Sequence, residues 1–220
     1  MIEEQRVFIV DDDAEIRDSL RVLLESAGLR SDAYTSAKEF LADGVPKFGC
    51  VVADIRMPVM SGLELQEEIA RRDVHLPVII ITAHADVPLA VRALKAGAID
   101  FIEKPFDDGQ LITSIRHAFE VATRTRRRSR EAKDARDRLS LLTSRERSVL
   151  TILVKGCSNK VAAYELGISP RTVEIHRAHI MNKLYASSLS DLVRMVLVAE
   201  RGEGWAYLDA AKIERRAAQE

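Results

Sequence analysis

Four places in the chain put oxygen- or nitrogen-bearing side chains directly after a short apolar run. Val10 is followed by Asp11, Asp12 and Asp13, Ala53 by Asp54, Ile81 by Thr82, and Ile102 by Glu103, Lys104 and Pro105. Carboxylates held close together repel one another and favour a divalent, oxygen-seeking cation, Mg2+ (or Mn2+). A hydroxyl and an ammonium on the same edge suit the remaining oxygens of a phosphoryl group. Singly, each residue has an ordinary structural explanation. An Asp after a strand commonly caps the next helix, and Asp13 reads that way; a lone Thr or Lys there is usually structural or solvated. Joint occurrence after four apolar runs is what points to phosphoryl chemistry.

To act together these residues need neighbouring strands. Residues 6–10, 49–53, 77–81 and 99–102 read as buried strands, and 30–34 as a weaker one. Helical patterns fall between and after them: 13–27, stopped by Gly28; 36–41, opened by a Ser36–Glu39 capping box; 63–72; 87–96, ended by Gly97; and 107–122. Five strands alternating with five helices predict an α/β domain, a five-stranded doubly wound parallel sheet covered on both faces. Functional groups in such sheets collect at the carboxyl ends of strands, where strand order reverses. Strands about 4.8 Å apart bring Asp11 or Asp12 close to Asp54.

The length of 220 residues suits two modest domains, and 47% apolar residues are enough to bury cores. No apolar run approaches the ~18 residues of a membrane span, and no secretory leader pattern opens the chain. Cys50 and Cys157 lie far apart without a His cluster, which argues against a disulfide framework and a zinc site. These readings predict a soluble, cytoplasmic protein with no membrane partner. The formal charge of −1 hides an asymmetry: residues 1–122 carry a net −9, residues 123–138 a net +5 and residues 139–220 a net +3. An acidic unit joined to a basic one suggests signalling or catalysis attached to nucleic-acid binding, although composition alone does not choose.

Residues 123–138 lack an apolar stripe and contain no Pro or Gly, so they read as a charged, partly helical rod or a flexible linker. Beyond Leu139 the pattern is all helical. Thr143 and Glu146 form a second capping box, opening a helix that ends at Gly156. A short helix over 158–166, a turn at Gly167 and a Ser169-Pro170 start lead into a helix over 171–184, and 190–201 gives a fourth. The 203–220 tail, with Trp205 and Tyr207, reads as a frayed terminal helix. Helix, glycine turn and Ser-Pro-capped helix suggest a helix-turn-helix. On the 171–184 helix Val173, Ile180 and Leu184 form the buried stripe, with His176 at its border as a partly packed histidine. The opposite face presents Arg171, Glu174, Ile175, Ala178 and Asn182. Arg171 and Lys183 suit phosphates; Glu174, Ile175 and Ala178 suit base edges or thymine methyls.

The first half resembles the receiver domain of two-component response regulators over residues 5–122. The matching stretches are V-D-D-D at 10–13, D-I-R-M-P at 54–58 with Gly62, I-T-A at 81–83 and F-I-E-K-P-F at 101–106. The second half is similar to LuxR-type domains through L-T-S-R-E-R at 142–147, G-C-S-N-K at 156–160, E-L-G-I-S-P-R-T-V-E-I-H-R at 165–177 and M-N-K-L at 181–184. Together they resemble the FixJ/NarL subfamily, nearer FixJ by S-P-R-T-V-E. One departure is Ala162, where the family usually has a larger aliphatic; Tyr164 is the neighbour that could fill the gap.

The resemblance implies a flavodoxin-like receiver over 1–122, a linker over 123–138, a four-helix DNA-binding domain over 139–202 and a tail over 203–220. It implies that Asp54 accepts the phosphoryl group from a histidine kinase. Asp11, Asp12, Asp54 and the Arg56 carbonyl would bind Mg2+, and Thr82 and Lys104 would contact the phosphoryl group. Thr82 and Phe101 would form a switch favouring a homodimer through the face around 86–122, and Lys104–Pro105 would be cis. Asn159, Lys160, Arg171, Thr172, Glu174, Ile175, Arg177, Ala178 and Lys183 would meet promoter DNA, with RNA polymerase a candidate further partner. The function expected is phosphorylation-controlled transcription regulation, in a chain that accepts a phosphoryl group without turning over an external substrate. Two alternatives stand beside it: DNA binding independent of phosphate, and a magnesium-dependent aspartyl phosphatase. The latter would take its nucleophile from the first strand and want Thr or Val at position 15, where Glu15 stands.

Overall fold

The computed structural model describes residues 5–72 and 74–200. They form two compact units that divide between Arg126 and Arg127. In the first, β1 (Arg6–Val10), β2 (Arg30–Tyr34), β3 (Cys50–Asp54), β4 (Val78–Thr82) and β5 (Asp100–Glu103) make a parallel sheet in the order β2-β1-β3-β4-β5. Between the strands lie α1 (Ala14–Ser26), α2 (Ala37–Ala42), α3 (Gly62–Arg71) and α4 (Val87–Lys95), and α5 (Asp108–Ser140) follows the last.

Strand side chains alternate between two faces, and helices cover both. Phe8, Val10, Val51, Ala53 and Ile80 pack with Phe40, Leu63, Leu65, Ile69 and Ala93 of α2, α3 and α4. Val7, Ile9, Val52, Ile79, Ile81 and Ile102 pack with Leu20 and Leu24 of α1 and Leu111, Ile115 and Phe119 of α5. That two-sided burial is why the inner strands read as unbroken apolar runs rather than alternating ones. β3 and β4 begin one residue later than the sequence suggests, because Gly49 takes φ 125° and Pro77 has no N–H to give. Asp54 and Thr82 are the last residues of their strands. Strand order reverses between β1 and β3, whose ends carry Asp11 and Asp54.

The segment after residue 122, read as a partly helical rod or a flexible linker, is helical throughout: α5 runs on to Ser140. The segment read as lacking an apolar stripe has one made of small residues. Ala132, Ala135 and Leu139 are buried, and the last two belong to the core of the second unit. Two of the three arginines at 126–128 have partners. The Arg126 guanidinium lies 4.0 Å over the Phe48 ring and bonds the Lys47 carbonyl, and Arg127 pairs with Glu131 at 2.8 Å. Neutralising all three should therefore flatten the slope of log K against log[salt] for DNA by at most about one unit, whereas three phosphate contacts would give nearly three. Titration of binding at several salt concentrations checks this.

The second unit adds α6 (Ser144–Val154), α7 (Asn159–Leu166), α8 (Pro170–Leu184) and α9 (Leu189–Glu200). Its core joins Leu139, Leu142, Val149, Leu150 and Leu153 to Val173, Ile180, Leu184, Leu192 and Val196. Ser158 and Ser169 cap α7 and α8, Pro170 opens α8, and Gly167 ends α7 in the left-handed region at φ 63°. Ala162 is fully buried, but Tyr164 does not compensate for its size. Two positions on is about 200° round a helix, and Tyr164 is 90% exposed. The tail at 203–220 lies outside the described residues.

Candidate functional site

At the carboxyl edge of the sheet, β1 and β3 run side by side with Val10 opposite Ala53, so Asp11 and Asp54 come next on neighbouring strands. The loop from Asp54 to α3 must be tight: a Cβ on Gly62 would lie 2.3 Å from the Asp54 carbonyl oxygen, so only glycine fits. Both carboxylates are nearly buried, and one cation joins them. Lys104, immediately after β5, places its Nζ 2.8 Å from Asp11 Oδ2 and 2.8 Å from Asp54 Oδ1. Asp11 Oδ1 accepts from the Asp13 N–H at 2.9 Å, and Asp54 Oδ2 from the Arg56 N–H at 2.6 Å. Asp13 caps α1 as expected. Burial lifts the Asp11 carboxyl above its ordinary pKa, against the bonds from Lys104 and the Asp13 N–H. Burial also opposes the Lys104 ammonium, but its two carboxylate bonds outweigh that and hold its pKa above the usual lysine value.

Asp12 does not join this group. Side chains alternate direction along an extended chain, so as Asp11 turns inward Asp12 is left exposed. Among the described residues, no three metal-capable side chains gather in one place. The donor set nonetheless suits a hard divalent cation: two buried carboxylates, a third next in the chain, and backbone carbonyls, all oxygen. One ammonium between two carboxylates leaves that trio with a net negative charge.

Thr82 is buried at the end of β4, and its Oγ1 accepts from the His84 N–H at 3.2 Å. Phe101 of β5 is half-buried against the core shared with α2, α3 and α4. Lys104–Pro105 is cis. Sequence reasoning missed Arg17, whose guanidinium donates to the Asp11 carbonyl at 2.7 Å and ties α1 to this edge. Its only signal was a cation one turn into the helix that follows the aspartates.

In the second unit α8 turns Val173, Ile180 and Leu184 into the core and leaves Arg171, Glu174, Ile175, Ala178 and Asn182 exposed. Thr172 and Arg177 are half-buried at the margin, as is Asn159 at the start of α7, where Lys160 is exposed. Lys183, expected to contact a phosphate, has a carboxylate partner within its own unit. Its Nζ lies 2.7 Å from Oε2 of Glu146, a buried residue of α6. Twelve residues beyond Arg171, at about 100° each, is about 120° round the helix, which puts Lys183 on the flank rather than the outer face. The same Glu146 oxygen accepts from the Thr143 N–H and Oγ–H, each at 2.9 Å.

Burial raises the Glu146 pKa, but the bonds from Lys183 and Thr143 overcome it and bring the carboxyl down to about 2. A carboxyl depressed in the folded state adds stability above its unfolded pKa, and that stability is lost as pH falls toward the folded value. Thermal unfolding followed from roughly pH 5 down to pH 2 should therefore show a steeper loss for the parent chain than for Glu146→Gln.

Comparison with known proteins matches residues 7–116 to the response regulator receiver domain and residues 140–196 to the bacterial regulatory proteins of the luxR family. The chain is 50% identical over 200 residues to the transcriptional regulatory protein FixJ of Azorhizobium caulinodans, covering 90% of this chain and 95% of that one. Among solved structures it is similar to the response regulator StyR, at 43% identity and a TM-score of 0.73 over 88% of this chain and 98% of that one. It is also similar to full-length FixJ from B. japonicum, at 44% identity and a TM-score of 0.55 over 90% and 98%.

Proposed function

The chain belongs to the FixJ-type response regulators, phosphorylation-controlled transcription regulators that join a receiver domain to a LuxR-type DNA-binding domain, and we propose that Asp54 is its phospho-acceptor. The observation that carries this is the shared ammonium: Lys104 bonds Asp54 and Asp11 together at the point where strand order reverses. A carboxylate oxygen of Asp54 attacks the phosphorus of a histidine kinase's phosphohistidine in line. The O–P bond forms as the N–P bond breaks, and the imidazole leaves with the electron pair. Lys104 and the Thr82 hydroxyl, on the same edge, would meet the oxygens of the new acyl phosphate. Receiver domains generally bind Mg2+ at the phosphorylation site. Here Asp11, Asp54 and the Arg56 carbonyl would hold Mg2+ or Mn2+, with Asp12 beside them. The ion would offset charge on the transferred group.

Thr82 drawn toward the phosphate and Phe101 turned inward would bias the α4 face toward a homodimer. Val87, Val91 and Leu94 support that reading, since they stand exposed at successive turns of α4. The dimer would align two α8 helices on promoter half-sites, where RNA polymerase is a further partner. Asn159, Lys160, Arg171, Thr172 and Arg177 would meet phosphates. Glu174, Ile175 and Ala178 would read bases: an acidic side chain facing DNA is repelled unless it accepts a hydrogen bond, and cytosine N4 is the natural donor. The chain would thus act as a regulator, not as an enzyme on external substrates, and it would do so in the cytoplasm; no helix among the described residues is long and apolar enough to cross a membrane.

Binding to a randomised duplex pool, with and without a small phosphodonor, tests the whole reading. The phosphodonor should raise affinity. Glu174→Ala should relax preference at one base pair per half-site by ~1–3 kcal/mol, while Arg171→Ala should weaken all sequences about equally. Unchanged base preferences in Glu174→Ala, together with altered ones in Arg171→Ala, would reverse these roles.

A further inference from the structure

The ion pair between α8 and α6 is not accounted for by phosphate binding or by helix capping alone. A capping box needs only the Glu146 contacts to Thr143, yet one carboxylate oxygen also takes the Lys183 ammonium, 37 residues further along the chain. The Glu146 side chain is 5% exposed and that of Lys183 39%, so the bond runs from the interior to the flank of α8. Lys183 also lies in the last turn of α8, where a cation complements the helix dipole. On the exposed face of that helix stand Arg171, Glu174, Ile175 and Ala178, while its buried stripe of Val173, Ile180 and Leu184 is apolar and non-directional. Apolar contacts hold a helix against a core but resist rolling about its axis weakly. A directional bond on one flank fixes that rotation.

We infer that Glu146 and Lys183 are positioning residues for DNA reading: their ion pair sets the rotation of α8 and so the aim of its outward side chains, and Lys183 itself contacts no phosphate. This rests on the reading of α8 as the helix that meets DNA. Two consequences separate positioning from the alternatives. A lysine on a phosphate releases counterions on binding, and its loss flattens the slope of log K against log[salt] by about 0.9. A positioning lysine releases none, so its loss lowers affinity at every salt concentration and leaves the slope alone. A purely structural lysine changes unfolding without changing the affinity or base preference of the molecules that remain folded.

The experiment uses the full chain and a duplex that the parent protein selects from a randomised pool. Affinity is measured across a salt series and base preference on single-substitution variants of that duplex. Lys183→Met and Glu146→Gln are compared with Lys183→Arg, which keeps the charge and can restore the pair; glutamine keeps a capping acceptor while removing the charge. Both disruptive variants should bind the selected duplex about tenfold more weakly, with blunted base preference and an unchanged salt slope, and Lys183→Arg should recover most of the loss. A slope flattened by about 0.9 in Lys183→Met would overturn the inference in favour of a phosphate contact. Unchanged affinity and preference in a less stable protein would overturn it in favour of scaffolding alone. If Lys183→Met does not fold, the Glu146→Gln and Lys183→Arg arms decide the matter by the same criteria. Failure of the parent chain to select any duplex would instead contradict the DNA-reading assignment, a different outcome from either.

Discussion

Asp54→Asn will take no label from a small phosphodonor, where the parent chain forms an acid-stable, hydroxylamine-sensitive acyl phosphate. Only a carboxylate oxygen can supply the nucleophile, and asparagine has nearly the same shape with no charge to attack phosphorus. The fold should survive the change. Asp54 Oδ2 accepts from the Arg56 N–H, which an amide oxygen can also do, and removing one of two buried carboxylates relieves repulsion with Asp11. Circular dichroism and unfolding transitions matching the parent would confirm that loss of label is chemical. Full labelling of this variant would assign the acceptor elsewhere.

Lys104→Met should be the most destabilising single change at the sheet edge. It removes the one cation shared by Asp11 and Asp54, whose side chains are only 2% and 11% exposed. Removing one partner of a buried ion pair leaves uncompensated charge, and here two carboxylates would face each other with nothing between them, so the expected loss is about 3 kcal/mol in metal-free urea unfolding. Adding Asp54→Asn to the same chain should recover most of that, because only one carboxylate then remains. The double-mutant cycle reports the coupling directly. A loss below about 0.5 kcal/mol, or no recovery in the double variant, would mean that the ammonium does not neutralise this pair.

How far the sequence carried the account depended on where each partner lay. Unbroken runs such as Val7–Val10 and Val78–Ile81 announced buried parallel strands, and residues following such runs had to meet at one edge. Asp11 and Asp54 were legible for that reason. That Asp12 is exposed where Asp11 is buried was not, because the pleat of the chain after β1 decides it. The α5 extension was hidden because alanines at 132 and 135 add little to an apolar stripe, although their small size is what lets them pack. Tyr164 lies about 200° round the helix from Ala162, so its ring meets solvent and not the space beside that alanine. Lys183 looked free for phosphate because its carboxylate partner lies on another helix, far back in the sequence, where Glu146 already had a sufficient reason to exist as a capping residue. Pairings fixed by strand ends were readable across long stretches of chain, then, and the pairing of side chains between helices, Lys183 with Glu146, was not.

Control of DNA binding by the state of Asp54 is most directly tested by footprinting across genomic DNA with the parent chain and Asp54→Asn, each with and without a phosphodonor. The account predicts protected sites that appear or deepen only for the parent chain with phosphodonor, while Asp54→Asn gives the same weak pattern in both conditions. Equal protection in all four samples would contradict it, and would leave a DNA-binding protein that ignores its own receiver.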